Sequence, residues 1–290
     1  MKHYFFDKKE KDAVKYTDLA VERRRADVTI SGIEYKSYES EGVIWEYVRV
    51  FSEDGAKSIG KPMGNYYTLN TGRLDLIDET EIWDIAEEIA KKLCEIFDAL
   101  SILPGRILVV GLGNRNLTPD SLGPKSAGEV KPTLHISRFD NDMFEALECS
   151  EIAVFTPDVS AHSGLDSTES VISICENIMP DAVIAIDAIT TLSKDRLGST
   201  FQLCDTGISQ GSGIGNSRLD INEDAIGIPV ISIGVPTVID SRAFAKEETS
   251  RTRANDDGML VAPKEIDEIT SIASKIIGIA INQAFGINSL

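Results

Sequence analysis

Four short, continuous apolar runs limit this chain more than any other feature of its 290 residues: Ile107-Leu108-Val109-Val110-Gly111, Glu151-Ile152-Ala153-Val154-Phe155, Ala182-Val183-Ile184-Ala185-Ile186 and Pro229-Val230-Ile231-Ser232-Ile233. The first reads as a strand buried on both faces, as parallel sheets require, and the others repeat its pattern. Helical periodicity lies between or after them. Ile82, Ile85, Ala86, Ile89, Leu93, Ile96, Phe97 and Leu100 recur at steps of three and four before Pro104-Gly105, residues 166–179 are helical, and Ile266, Ile269, Ile272, Ala273, Ile276, Ile277 and Ala280 form one stripe. Strands alternating with helices predict an α/β fold, a mostly parallel or mixed sheet with helices on both faces.

The N-terminal part has a different character. Residues 1–27 are dense in charge, include Glu22-Arg23-Arg24-Arg25, and read as an arm or pro-segment. Residues 28–35 and 42–50 are β-branched, aromatic and roughly alternating, so they predict an antiparallel pair with one wet face. After the turn-prone Asp54-Gly55 and Gly60-Lys61-Pro62, a third strand is expected at Tyr66-Tyr67-Thr68-Leu69.

The net charge of −18 repels phosphate backbones and anionic lipid, which argues against nucleic acid as a partner. No uncharged apolar run reaches the length of a bilayer span, and Met1 to Glu10 hold no secretion signal, so an intracellular, soluble protein without a membrane partner is expected. Cys94, Cys149, Cys175 and Cys204 lack metal-site spacing and read as reduced, buried thiols; His3, His135 and His162 are too scattered for a multi-histidine metal centre. No metal and no cofactor is expected.

Ligands of open α/β sheets bind outside the carboxyl ends of the strands. Two such exits carry an aspartate. The run Ile107–Val110 leaves into Gly111-Leu112-Gly113-Asn114-Arg115-Asn116-Leu117-Thr118-Pro119-Asp120, and the run Ala182–Ile186 leads straight into Asp187. A carboxylate ending an apolar strand is poorly solvated and has a raised pKa unless something pairs with it. If Asp120 faces Asp187, the two can share a proton, one accepting from water and the other donating to a leaving group. Helix capping competes for both, since Thr-Pro-Asp-Ser before Leu122 is a fair N-terminal signature. Gly111-Leu112-Gly113 invites a dinucleotide reading, but Asn116 stands where the fingerprint needs glycine or alanine. A second glycine-rich loop, Gly207 to Asn216, lacks the ending of a phosphate loop and reads either as a peptide-pairing loop or as an exposed turn. Gly211-Ser212-Gly213 lacks the spacing of a serine-nucleophile elbow, and His162 reads as a solvated loop histidine.

Longer strings carry a resemblance. Val110 to Asn114 followed by Thr118-Pro119-Asp120-Ser121-Leu122-Gly123-Pro124-Lys125, then Ile184-Ala185-Ile186-Asp187-Ala188, Asp205-Thr206-Gly207-Ile208, Gly211 to Asn216 and Ile233-Gly234-Val235-Pro236-Thr237-Val238 resemble the germination proteases of spore-forming bacteria in order and spacing. Tyr16-Thr17-Asp18-Leu19-Ala20-Val21-Glu22 resembles their N-terminal segment. The resemblance implies an endopeptidase that degrades small acid-soluble spore proteins in the spore cytoplasm during germination. It also implies a self-processing zymogen, a homotetramer and a fold similar to the hydrogenase-maturation peptidases. Carried over by motif, the catalytic aspartates are Asp120 and Asp187. The resemblance places the zymogen cut near Asp18 and Leu19, dividing the chain into a candidate pro-segment, 1–18, and one peptidase domain, 19–290, whose β-rich part is about 28–70. Backbone amides around Gly113, Asn114, Ser212 and Gly213 are candidates for the substrate and oxyanion loop.

The chain departs from the family pattern at about 240–259, which stands in place of a longer insertion, and at Ser209-Gln210, where His-Pro is usual. Two alternatives follow. One is a metallopeptidase using the same carboxylates, which the missing imidazole weakens; the other is a silent paralogue that binds spore proteins without cutting them.

Overall fold

The computed structural model describes residues 17–24, 30–40, 42–208, 220–241 and 259–287. Its strands are β1 (Ile33–Ser40), β2 (Val43–Val50), β3 (Gly64–Asn70), β4 (Arg106–Gly111), β5 (Glu151–Phe155), β6 (Ala182–Thr191), β7 (Thr200–Cys204), β8 (Val230–Asp240) and β9 (Leu260–Val261). They form one nine-stranded sheet in the order β1-β2-β3-β7-β8-β6-β4-β5, with β9 added against the end of β8. The pairs β5–β4, β4–β6 and β6–β8 are parallel. From β8 outward through β7, β3, β2 and β1 every pairing is antiparallel. The expected mixed α/β sheet with an antiparallel N-terminal part is therefore the fold.

Side chains alternate across a strand, so each strand feeds two layers. On one face Ile107, Val109, Ile184, Ile186, Ile231 and Ile233 are buried beneath the helices Glu79–Ala99 and Ile266–Ala284. The first of these helices begins in a capping box, Asp78 accepting from the Glu81 amide and Glu81 accepting from that of Asp78, which satisfies two orphan donors at once. On the other face Leu108, Val110, Val183, Ala185 and Val230 meet Val171, Cys175 and Ile178 of the helix Ser167–Ile178. Further along the same face, over the antiparallel wing, a separate cluster joins Val48, Val50, Tyr66, Ile189 and Cys204 to Leu19, Ala20, Val21 and Ile59. The uncovered strip between these two clusters becomes the site.

Several expectations change. The first strand was expected at 28–35 but β1 is Ile33–Ser40, because Gly32 turns the chain at φ +83° and its carbonyl accepts from the Phe51 amide at 2.9 Å; Val28 and Thr29 lie outside the described residues. Asp54-Gly55 is not a turn but part of the helix Glu53–Ile59, started by Ser52, whose hydroxyl accepts from the Gly55 amide. β6 does not stop at Ile186: pairing with β8 carries it on to Thr191. β7 was not anticipated. Of the four thiols only Cys175 and Cys204 are buried; Cys94 is exposed and Cys149 half-buried, and all are free.

Candidate active site

Asp187 is the sixth residue of β6, and its position follows from where the neighbouring strand gives out. β4 ends at Gly111, opposite Ile186, and the Leu112 amide makes a last bond to the Ile186 carbonyl at 2.8 Å. One residue further on, β6 has lost that partner while keeping β8, in the crevice that parallel sheets open at their carboxyl ends. By alternation Asp187 shares the face of Val183, Ala185 and Ile189, between the two clusters of that face. Its Oδ1 accepts from the Ala188 amide at 2.9 Å.

Asp120 arrives from the β4 exit. Residues Thr118–Asp120 form a single 3-10 turn, and the next helix, Leu122–Glu129, has Ser121 as N-cap with no side-chain cap bond. Asp120 is thus not a helix cap. Its Oδ2 and its carbonyl both accept from the Asn114 amide at 2.9 Å, which folds the loop 114–120 back on itself. Two glycines allow this. Gly113 sits at φ +108°, and a Cβ there would collide with the Asp120 carbonyl oxygen and stand 3.1 Å from its Oδ1. At Gly123 a Cβ would strike backbone atoms of Leu112 and, at 2.5 Å, the Ile186 carbonyl oxygen. The helix therefore starts directly on the ends of β4 and β6, carrying Asp120 to the side of the crevice that holds Asp187.

Both aspartates line one cleft of about 430 Å³. Asp18, Lys61, Tyr66, Gln202, Ser232 and Thr237 also line it. Burial pushes the Lys61 ammonium below the ordinary lysine value, against the pull of Asp18. The Tyr66 phenol is pushed well above its usual value, first by burial, and stays neutral; it donates to the Pro62 carbonyl at 2.9 Å and accepts from the Thr206 hydroxyl at 3.2 Å. Among the described residues no three His, Cys, Asp or Glu side chains converge as metal ligands.

The structure brings Asp120, Asp187, Gly113 and Asp18 to this cleft and buries Leu19 completely beside it, in the cluster over the antiparallel wing. The Asn114 amide is engaged by Asp120, and Ser212 and Gly213 lie outside the described residues. His162 is not in an irregular loop but in the short helix Ser160–Ser163, its Nδ1 3.2 Å from Asp158 Oδ1. Lys61, Thr190 and Gln202 were not foreseen. Gln202 belongs to β7, whose Thr-Phe-Gln-Leu-Cys is too short and too mixed to show its period. Thr190 lies past the point where β6 was expected to end.

A family model described as germination protease matches residues 11–250. A germination protease of Clostridium perfringens is 34% identical over 92% of this chain and 94% of its own length. One from Caldanaerobacter subterraneus subsp. tengcongensis is 37% identical over 80% of this chain and 71% of its own. Among solved structures, a [NiFe] hydrogenase maturation protease from Thermococcus kodakarensis aligns with a TM-score of 0.35 at 19% identity, covering 66% of this chain and 99% of that one. The match to the family model and the near full-length match to the clostridial relative agree: the chain belongs to the germination protease family.

Proposed function

We propose that the chain is an endopeptidase that degrades small acid-soluble spore proteins during germination in the spore cytoplasm, with Asp120 and Asp187 activating the attacking water. Family membership makes it a spore peptidase. One observation carries it: two aspartates from separate strand exits line the same cleft. In such a pair the ionised member takes a proton from water as its oxygen attacks the peptide carbonyl, and the protonated member gives its proton to the leaving nitrogen. Asp18 in that cleft, with Leu19 buried next to it, supports a zymogen that cuts itself between these residues. The homotetramer implied by the family belongs to the same proposal.

The test is mass spectrometry of a purified small acid-soluble spore protein after incubation with the wild-type chain, uncut and with residues 1–18 removed, in excess chelator, alongside Asp120→Asn and Asp187→Asn. Discrete cuts that persist in chelator and vanish in both variants are expected. Cuts that chelator abolishes would assign the carboxylates to a metal, and binding without any cut would leave a silent paralogue.

A further inference from the structure

The segment Thr17–Arg23 is held at the edge of the cleft as a ligand is held, with Asp18 reaching into it. The Asp18 carboxylate accepts from Thr190 twice, from its amide at 2.9 Å and its hydroxyl at 2.6 Å, while the Asp18 amide donates to the Thr190 carbonyl at 3.0 Å. Two residues on, the Ala20 amide donates to Gln202 Oε1 at 2.8 Å, and Gln202 Nε2 donates to the Asp18 carbonyl at 3.2 Å. One buried amide side chain thus spans the Asp18–Leu19 peptide bond, gripping the carbonyl on one side and the next N–H but one on the other. Leu19 fills an apolar seat among Val48, Ile59, Tyr66 and Ile189.

The register places this grip beside the aspartate. Asp187 pairs with Gly234, and Gly234 pairs with Gln202, so Asp187 and Gln202 flank a position with no side chain on three adjacent strands. At the usual strand spacing their Cα atoms lie about 10 Å apart, with both side chains on the cleft face. A carbonyl held by Gln202 Nε2 is therefore presented in the row of Asp187. Thr190 stands three residues further along β6, at the register shift between Ile189 and Thr190. Thr237 adds a second sign that the cleft is built for a polar ligand: it is 1% exposed, lines the cleft, and its hydroxyl has no hydrogen-bond partner among the described residues.

We propose that Gln202 and Thr190 are the residues with which the cleft binds and selects a peptide, Thr190 choosing an acidic side chain and Gln202 holding the carbonyl of that same residue for attack. The assignment rests on the peptidase reading above. The ligand class is an extended segment with an acidic residue followed by a large apolar one, and the chain's own Asp18-Leu19 is its resident copy. An external peptide takes the same place only when this segment leaves. In the attack the carbonyl oxygen gains negative charge, and the Gln202 N–H bond to it strengthens, as for an oxyanion donor.

The experiment uses the full chain and two fluorescent peptides, Thr-Asp-Leu-Ala-Val-Glu and its counterpart with Asn in place of Asp. Binding is read by anisotropy and cutting by mass spectrometry. Asp18→Asn, which loosens the resident segment, serves as the background. In that background the Asp peptide is expected to bind about tenfold tighter than the Asn peptide, the preference to disappear with Thr190→Val and to return with Thr190→Ser. Gln202→Met is expected to weaken both peptides alike, leaving the preference for the Asp peptide in place, and to lower kcat by about 100-fold, whereas mere loosening of the seat would erase that preference as well. Equal binding of the two peptides, no binding to any form, or an unchanged kcat in Gln202→Met with cutting intact would overturn the assignment. Preferential binding that follows Thr190 and weakens in Gln202→Met, with no cutting by any form, would keep the subsite and refute the peptidase reading instead.

Discussion

Gly113→Ala tests whether the loop after β4 sets the position of Asp120. Gly113 has φ +108°, which an L-residue adopts only under strain, and the new methyl would collide with the Asp120 carbonyl oxygen. The strain costs about 1–3 kcal/mol and the overpacking about as much again, so a loss of about 2–6 kcal/mol is expected. That oxygen and Asp120 Oδ2 share the Asn114 amide, so relief of the clash has to move the carboxylate. A displacement of about 1 Å at a reacting group costs about 100-fold in rate. Gly42→Ala is the control: φ is +85° there, but nothing lies within 4 Å of the added carbon. It pays only for the backbone, about 1–2 kcal/mol, and leaves the cleft alone. Urea unfolding and peptide cleavage of both variants separate the two costs. Equal destabilisation, or a Gly113→Ala chain with wild-type kcat, would refute the reasoning.

Burial alone would raise the Glu46 carboxyl, but hydrogen bonds from Asn70, Arg196 and Tyr35 and the charge of Arg196 outweigh it and hold it below the ordinary value. Its stabilisation is therefore present above the unfolded-state pKa and lost as pH falls through the lower folded value; urea midpoints should drop between about pH 5 and 3 in the wild type, and less steeply in Glu46→Gln. Burial pushes the Cys175 thiol up to about 11, so alkylation of the folded chain at pH 8 should spare Cys175 and mark exposed Cys94 first, as read by peptide mapping; early labelling of Cys175 would contradict its packing. Leu19→Ala should raise the hydrogen-exchange rate of residues 19–23 by about 10- to 100-fold, because the buried side chain is worth about 1.5–3 kcal/mol to the docked segment; an unchanged rate would mean that the polar contacts alone hold it.

The parts of the fold written in sequence are those set by local period and by apolar runs. The helix Glu79–Ala99 follows from its stripe and from Asp78, and the strands β4, β6 and β8 from side chains that must be hidden on both faces, while β5 shares their apolar run but is mostly half-buried at the sheet edge. Asp120 and Asp187 were legible for the same reason, since strand exits are found wherever apolar runs end. Their meeting in one cleft, expected from those two exits, rests on glycines acting through contacts distant in sequence: Gly123 against Ile186, and Gly234 between Asp187 and Gln202. Gln202 and Thr190 left no local trace. What matters about them is a neighbour 182 or 172 residues away in the chain.

The cleft is a consequence of how the two halves of the sheet meet. In the parallel half, positions of one parity on β4 and β6 are filled by Leu108, Val110, Val183 and Ala185 and covered by a helix; in the antiparallel wing, the same face carries Val48 and Tyr66, which together with Ile189 from the end of β6 are covered by Leu19 to Val21. Between them the corresponding rows read Ala185, Ser232, Cys204 and Asp187, Gly234, Gln202. Apolar side chains at Ser232 and Gln202 would extend the two clusters toward one another and bury more apolar surface, whereas at Gly234 an added carbon would stand 2.9 Å from Ile189 Cγ2. Small and polar residues there forgo that stability and keep open a polar strip at the point where β6 loses β4. The hydroxyl of Ser232 is held by Cys204 Sγ at 2.8 Å, Gln202 is turned to the backbone of residues 18–20, and Asp187 Oδ1 accepts from the Ala188 amide. Along that strip a carboxylate and an amide stand side by side across a glycine, the arrangement that the proposed peptide site requires.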